Sequence, residues 1–306
     1  MKNFFPDILY GFAKLLAFLP LPVLLFLSDL FMYPLVYYVV RYRLNVVRVN
    51  LKNSFPDKTQ KELHQIEKQF YRHFCDSFAE TIRILCMSEQ EAKKRMVLVN
   101  PELVTDFAKH GQGILIVLGH YGNWEFQPIL FLALLESGSQ IGYSVYRPLK
   151  SEAFDYLYMK IRTHFGGGIT TKNDAYRNVI NLRRAGKAAV FGLVSDQTPS
   201  KTNLHYWTNF LNQDTAILTG PERMAKQTGF AVVYADVEKT SRGCYQTTYK
   251  LISDKPKETA EFEITEKYAR LMEETILREP AYWLWTHRRW KHKRQQELKS
   301  KGDSIA

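Results

Sequence analysis

Residues 113–125 read GILIVLGHYGNWE, and this stretch decides the fold. The first six residues form a short, continuous apolar run, which is typical of a strand buried on both faces of a sheet. The remaining residues are mostly polar, include two glycines, and place His120 and Glu125 just beyond that strand. The stretch therefore predicts a buried strand that ends in a loop carrying reactive side chains.

Similar apolar runs predict further strands at residues 141–146, 188–194 and 230–237, and a more exposed edge strand at 245–252. Helical spacing of apolar residues predicts a long helix over residues 60–85. Other helices are predicted at residues 125–135, 152–165, 174–185, 216–228 and 259–277. Strands that alternate with helices indicate an α/β fold, with a mostly parallel or mixed central sheet flanked by helices.

The front of the chain is apolar over residues 8–40, where Pro20, Pro22, Asp29 and Pro34 interrupt it. A membrane-spanning helix needs about 20 apolar residues in succession, so kinked, tilted or half-inserted helices fit better than one straight span. Basic residues follow, as expected beside cytoplasmic lipid headgroups: Arg41, Arg43, Arg48 and Lys52. A buried helical hairpin that covers the core is the alternative. We predict an N-terminal membrane-anchoring helical segment over residues 1–52.

The rest of the chain, residues 53–306, is predicted to form one α/β domain whose basic end, residues 287–301, is helical. Lys and Arg total 42 against 31 Asp and Glu, for a net charge of +11. Such a balance favours anionic partners, whether nucleic acid, anionic lipid or acidic protein. Three widely spaced cysteines without a Cys-x-x-Cys pair argue against a disulfide framework or a metal site.

Polar residues follow three of the predicted strands, and in open α/β sheets ligands collect outside the carboxyl ends of strands. Convergence of these ends would assemble a histidine, carboxylates, amides and a guanidinium. The candidate site residues are His120, Asn123, Glu125, Arg147, Asp196 and Gln197.

His120 is the candidate general base, because an imidazole with a pKa of about 6.5 accepts and returns a proton near neutrality. Glu125 lies five residues later, where the predicted start of a helix favours its ionised form. Such a carboxylate would hold one imidazole nitrogen and stabilise the imidazolium. The hydroxyl of the substrate would then serve as the nucleophile. A purely structural histidine is the plainer interpretation, but the glycines and the nearby carboxylate favour catalysis.

These residues also carry a family resemblance. GHYGNWE resembles the His-x4-Asp/Glu block of the late acyltransferases of lipid A biosynthesis, the lauroyl/myristoyl transferase family. Further blocks resemble this family in the same order: RYRLNVVRVNLKNSFPDKT (41–59), YRPL (146–149), DQTP (196–199) with GPERMA (220–225), and PAYWLWTHRRW (280–290). The resemblance therefore covers nearly the whole chain.

The resemblance implies an O-acyltransferase on the cytoplasmic face of the inner membrane of a Gram-negative bacterium. Its acyl donor would be carried on the phosphopantetheine of acyl carrier protein, with no other cofactor and no metal. The acceptor would be a hydroxyacyl chain of a lipid A precursor, and anionic membrane lipid would be a further partner. His120 and Glu125 would form the catalytic pair, Arg147 would contact a phosphate or the reacting acyl region, and Asp196 and Gln197 would shape the acceptor site.

Two other functions fit the same residues. The chain could acylate another lipid, such as an aminoacyl lipid or a glycerophospholipid. It could instead be a non-catalytic membrane-associated binding protein with a basic tail for nucleic acid, although no nucleic-acid motif is present. Individual residues have structural alternatives as well: Arg147 could pair with a carboxylate, and Asp196 could cap a turn. Trp283, Trp285 and Trp290 could be core residues or an interfacial belt.

Overall fold

A seven-stranded sheet forms the centre of the computed structural model, which describes residues 5–138 and 142–294. The strands are β1 (Met96–Leu98), β2 (Ile114–Leu118), β3 (Gly142–Tyr146), β4 (Gly168–Thr171), β5 (Val190–Val194), β6 (Tyr206–Phe210), β7 (Gln213–Ile217), β8 (Ala231–Ser241) and β9 (Cys244–Ser253). The order across the sheet is β1-β9-β8-β2-β5-β3-β4, and β6 pairs with β7 in a separate antiparallel hairpin. Within the large sheet only β8 and β9 are antiparallel. The predicted α/β fold with a mostly parallel sheet is confirmed.

β2 lies in the middle of this sheet because every one of its residues is apolar and buried. Alternate residues point to opposite faces of a strand: Leu115 and Val117 join one apolar cluster, whereas Ile114, Ile116 and Leu118 join another. The sheet is therefore covered on both faces, and a functional site can form only at the ends of its strands.

Helices surround the sheet. They are α1 (Phe5–Ala17), α2 (Leu21–Leu27), α3 (Leu44–Ser54), α4 (Gln60–Ile84), α5 (Glu89–Arg95), α6 (Glu102–Lys109), α7 (Leu130–Glu136), α8 (Glu152–Arg162), α9 (Lys172–Arg184), α10 (Gly220–Thr228) and α11 (Glu263–Arg278). The longest, α4, begins with a capping box in which Thr59 and Glu62 satisfy each other's backbone amides. Its predicted extent is confirmed.

The N-terminal helices present a wide apolar surface. α2 continues through two π-helical stretches, Ser28–Met32 and Leu35–Val39. By length and composition, Leu21–Val39 is the one helix among the described residues apolar enough to cross a membrane, and only 28% of its window is buried. Large exposed side chains extend over α1 and this helix: Phe5, Ile8, Phe12, Leu15, Phe18, Phe26, Leu30, Phe31, Leu35, Tyr38 and Val39. The alternative of a buried hairpin is wrong, and the boundary near residue 52 stays a prediction.

Several predicted elements differ from the structure. β9 is not the edge strand, because the short β1, which the sequence did not reveal, pairs with its outer side. Residues 216 and 217, predicted to begin a helix, instead end β7, and residues 124–129 form a 3₁₀ helix that contains Pro128. Residues 287–293 are not helical, because they pack as irregular chain against α3 and the hairpin, and residues 295–301 lie outside the described part.

Candidate active site

His120 and Asp196 leave neighbouring strands at the same edge of the sheet. β2 and β5 are parallel, with Leu118 opposite Val194, so the residues that follow them meet. His120 Nδ1 lies 2.6 Å from Asp196 Oδ1, and the backbone N–H of His120 donates to Asp196 Oδ2 over 2.9 Å. The indole N–H of Trp283 donates to the same Oδ2 over 2.7 Å. A histidine, a carboxylate and an indole therefore form one rigid unit.

Asp196 is only 5% exposed, yet it is ionised. Burial by itself raises the pKa of this carboxyl, but the charge of His120 and the hydrogen bonds from His120 and Trp283 lower it to about 2. An acceptor-only carboxylate assigns the proton of the neutral imidazole to Nδ1 and leaves Nε2 as the basic nitrogen. The side-chain amide nitrogen of Gln197 lies 3.3 Å from that Nε2.

Glu125 does not contact the imidazole, so the predicted hydrogen bond between these two side chains is wrong. Its carboxylate accepts two hydrogen bonds from Arg162, from Nε to Oε2 over 2.8 Å and from Nη2 to Oε1 over 2.6 Å. It also accepts the indole N–H of Trp124 over 3.2 Å. The reason is the turn at Gly122, after which Asn123 caps the 3₁₀ helix and directs Glu125 toward α8.

Two glycines give the loop between β2 and this 3₁₀ helix its shape. A Cβ on Gly119 would lie 2.3 Å from the methyl of Met272. Gly122 has φ +59°, a conformation that other residues rarely adopt, and a Cβ there would press on the ring of Tyr245 at 3.0 Å. The positive φ of Gly122 therefore shapes the tight turn after His120, and Gly119 leaves room for the side chain of Met272.

Asn123 serves the loop and is 1% exposed. Its amide nitrogen donates to Glu80 Oε2 over 3.0 Å and to the backbone oxygen of Ser77 over 3.2 Å, and its oxygen caps the backbone N–H of Glu125. The predicted substrate contact of Asn123 stays a prediction, but the structure gives this amide a structural task.

A second histidine, His73, stabilises the turn at Gly122. His73 Nε2 lies 3.2 Å from the backbone oxygen of Gly122, and Lys239 Nζ lies 3.2 Å from His73 Nδ1. Burial and the charge of Lys239 lower the pKa of His73 well below its usual value, so the ring is neutral and Nε2 carries the proton. This network ties the loop to α4 and β8.

A cavity of about 300 Å³ is separated from His120 by the side chains that contact its ring. Gln197 and Trp124 line it, and both contact the imidazole, the latter with ring centroids 4.8 Å apart. Aromatic and polar side chains share the remaining wall: Tyr42, Arg43, Phe74, Ser77, Phe78, Thr81, Asn123, Glu125, Tyr158, Leu284, Thr286 and His287. The cavity is large enough to admit one segment of a chain molecule against Gln197 and Trp124.

The C-terminal block encloses the site. Trp283 and Trp285 are 2% and 0% exposed, so they are core residues. His287 lines the cavity, and burial lowers its pKa to about 4, which keeps its ring neutral. Arg289 is 3% exposed and donates to the backbone oxygen of Ala216 over 2.7 Å.

Arg147 lies apart from this group. It follows β3, which is separated from β2 by β5, so it shares the sheet edge with His120 but not the cavity lining. Its side chain is exposed, and within residues 5–138 and 142–294 it has no ion-pair partner. Its predicted phosphate contact stays a prediction. The alternative, in which Arg147 pairs with a carboxylate, has no support among these residues.

The sequence did not reveal the roles of Arg162 and Trp283, nor the imidazole contact of Asp196. Arg162 had only one signal, its place in the last turn of a predicted helix. Asp196 was predicted at a strand end, and the missing fact was that β5 is the neighbour of β2.

No group of three or more His, Cys, Asp or Glu side chains suited to a metal ion occurs in the described ranges. The sequence model of one protein family, described as bacterial lipid A biosynthesis acyltransferase, matches residues 5–292. No curated protein matches the chain. The match confirms the family resemblance carried by the sequence blocks and favours an enzyme over a nucleic-acid-binding protein.

Proposed function

The chain belongs to the bacterial lipid A biosynthesis acyltransferase family, and from this membership we propose that it transfers a fatty acyl chain from acyl carrier protein to a hydroxyacyl chain of a lipid A precursor. The observation that carries the proposal is the His120–Asp196 pair, whose other imidazole nitrogen, Nε2, lies 3.3 Å from the amide of Gln197 on the wall of a cavity. The family supplies the reaction class, and the geometry supplies the residues.

In the proposed reaction, Nε2 of His120 accepts the proton of the lipid hydroxyl as its oxygen attacks the thioester carbonyl. Asp196 stays ionised and stabilises the imidazolium through Nδ1–H. The tetrahedral intermediate collapses with cleavage of the carbon–sulfur bond. The leaving thiolate takes the proton from His120, which restores the enzyme and yields an ester and a free carrier thiol.

Two donors on the cavity wall are suited to the negative charge that develops on the carbonyl oxygen. Gln197 offers an amide N–H beside Nε2. Arg43 lines the same cavity, and its one hydrogen bond within the described residues goes to the backbone oxygen of Thr286. A guanidinium with free donors also suits a phosphate of the acceptor.

We propose that Glu125 supports the reaction by fixing side chains of the cavity wall, and not by binding the imidazole. It anchors the partly buried guanidinium of Arg162 and the indole of Trp124, whose ring packs edge-on against His120. Glu125 therefore remains part of the catalytic machinery as a positioning residue.

The exposed apolar surface of residues 5–40 supports attachment to a membrane, and the basic chain suits an anionic one. We propose that this surface lies in the cytoplasmic leaflet of the inner membrane, where a hydroxyacyl lipid and a soluble carrier protein both have access to the cavity.

Mass spectrometry of total lipids from a strain lacking the protein tests the acceptor. Loss of one acyl chain from lipid A, restored by the wild-type chain but not by His120→Ala, is expected. Loss from an aminoacyl lipid or a glycerophospholipid would replace lipid A as the acceptor, and an unchanged lipid profile would contradict the proposal.

A further inference from the structure

A second cavity lies away from His120. It has a volume of about 830 Å³ and opens between the end of α3, the turn before α4, the tip of the β6–β7 hairpin and residues 293–294. It shares no lining residue with the cavity near His120. We call it the basic groove, and its charged lining residues are Lys52, Lys58, Asp214, Lys293 and Arg294.

Positive charge dominates the basic groove. Within the described part of the chain, the ammonium groups of Lys52, Lys58 and Lys293 have no carboxylate within ion-pair distance. Asp214 is the one acidic lining residue, and it lies 3.9 Å from Arg294 in a pair that is half exposed and therefore weak. Unpaired ammonium groups around a concave surface attract an anionic partner.

The lining of the groove suits a water-soluble partner. Its apolar residues Phe55 and Leu63 are buried, at 7% and 8% exposure. None of the large exposed apolar side chains of the described residues lines it, whereas many of them lie on α1 and on Leu21–Val39. A surface that inserted into a bilayer would carry such side chains.

One helix, α3, connects the basic groove to the cavity of about 300 Å³ near His120, which we call the reaction cavity. Arg43, which precedes α3, lines the reaction cavity, and Asn53, in the last turn of α3, lines the groove. Ten residues of helix separate them, or about 15 Å at 1.5 Å per residue. An extended thiol-terminated prosthetic arm spans such a distance.

The C-terminal segment follows the same path and is fixed to α3. Asn50 donates to the backbone oxygens of Trp285 and His287 over 2.9 and 3.0 Å. His287 lines the reaction cavity, and Lys293 lines the groove. The two cavities therefore lie at opposite ends of one ridge, which α3 and residues 285–293 form together.

We propose that the basic groove is the docking surface for the acidic carrier protein that delivers the acyl thioester. This inference rests on the proposed function, because it names the surface by which the donor binds. Acidic side chains of the carrier pair with Lys52, Lys58 and Lys293, and its prosthetic arm follows the ridge to His120. Contacts of this kind act on encounter and orientation, and not on the chemical step.

Charge reversal tests the surface. The Lys52→Glu/Lys58→Glu variant of the full chain is compared with the wild type and with a Lys187→Glu/Lys257→Glu control, which changes two exposed lysines elsewhere. Each protein is assayed with an acyl carrier protein thioester and with the same acyl group on N-acetylcysteamine, which lacks the protein. We expect KM for the carrier-bound donor to rise about tenfold at low salt in the groove variant alone. kcat and the reaction of the small thioester stay unchanged, and added salt reduces the difference.

Two results would overturn the docking surface while the proposed function stands: an unchanged KM for the carrier-bound donor, or an equal rise in KM for both donors. Weaker sedimentation of the groove variant with anionic vesicles, at unchanged KM for the carrier-bound donor, would identify the groove as a lipid contact and also overturn it. A wild-type enzyme that uses the small thioester but no carrier-bound donor would refute the donor in the proposed function itself, and the docking surface with it.

Discussion

Two buried carboxylates flank the reaction cavity, and they have opposite partners. Asp196, after β5, holds an imidazole, whereas Glu125, at the start of a 3₁₀ helix, holds the guanidinium of Arg162. Both acids are almost fully buried, at 5% and 6% exposure. Burial alone therefore does not distinguish a catalytic carboxylate from a structural one.

The difference lies in the proton. An imidazole gains and loses its proton near neutrality, so the His120–Asp196 pair can change its charge during a reaction. A guanidinium keeps its proton, and Glu125 holds the pKa of Arg162 above its usual value against the opposing effect of burial. We infer that the His120–Asp196 pair transfers a proton, whereas the Arg162–Glu125 pair stabilises the wall of the cavity. Four predictions test this distinction.

The largest effect is expected for His120→Ala, because it removes the base. kcat/KM should fall about a thousandfold, and the melting temperature should fall by a few degrees, because the buried carboxylate of Asp196 loses its ion-pair partner. Acyl transfer by the purified variant is measured beside His110→Ala, which changes an exposed histidine at the end of α6. Turnover within tenfold of wild type would remove His120 from the mechanism.

Asp196→Asn should reduce kcat/KM about a hundredfold. The backbone of His120 and the indole of Trp283 both donate to Oδ2, so the amide oxygen of asparagine would occupy that position and its NH2 would face Nδ1. The ring would then carry its proton on Nε2 and could not act as a base. Asp106→Asn, an exposed change, is the control. Equal rates for the two variants would contradict the pairing.

Glu125→Gln should affect stability more than it affects the chemical step. Loss of the carboxylate leaves the partly buried guanidinium of Arg162 without a counter-charge, which costs about 2 kcal/mol in the free energy of unfolding. Displacement of Trp124 should lower kcat/KM by at most about a hundredfold. Chemical denaturation is measured for both this variant and Glu125→Gln/Arg162→Met, in which most of the stability should return. A fully stable single variant would refute the structural role.

The smallest effect is expected in the dependence of the free energy of unfolding on acidic pH. The folded-state pKa of Asp196, about 2, lies below its ordinary value of 3.8, so its contribution to stability is complete above about pH 4 and is lost as the pH falls toward 2. The shift corresponds to about 2 kcal/mol. Because His120 is the main group that lowers this pKa, the loss should be smaller in His120→Ala. Parallel acid dependence of unfolding in both proteins would contradict the ion pair.

Much of the fold follows from local patterns. The interiors of β2, β5 and β8 and the extent of α4 were readable, because continuous apolar runs and one apolar stripe have few other stable arrangements. β1, β4 and the β6–β7 hairpin were missed. β1 has three residues and β4 has four, and the hairpin mixes polar, aromatic and aliphatic residues, some of which bond to α11 and the C-terminal block.

The candidate site was predicted in part of its membership, since Arg147 lies apart, but not in its pairing. His120, Asp196 and Gln197 do meet at one sheet edge, as strand ends in an α/β sheet predict. The predicted partner Glu125 is only five residues from His120, but proximity in sequence is no guide to direction when a glycine with positive φ lies between them.

The sequence by itself determined the family, the buried strand before His120 and the apolar front of the chain, because each is written in consecutive residues. Only the tertiary structure decided which acid holds the imidazole, because that choice depends on the order of strands in the sheet. Asp196 is 76 residues from His120 and becomes its neighbour when β5 pairs with β2. The basic groove has the same origin, since the lysines that line it come from α3, the turn that follows it and the C-terminal segment.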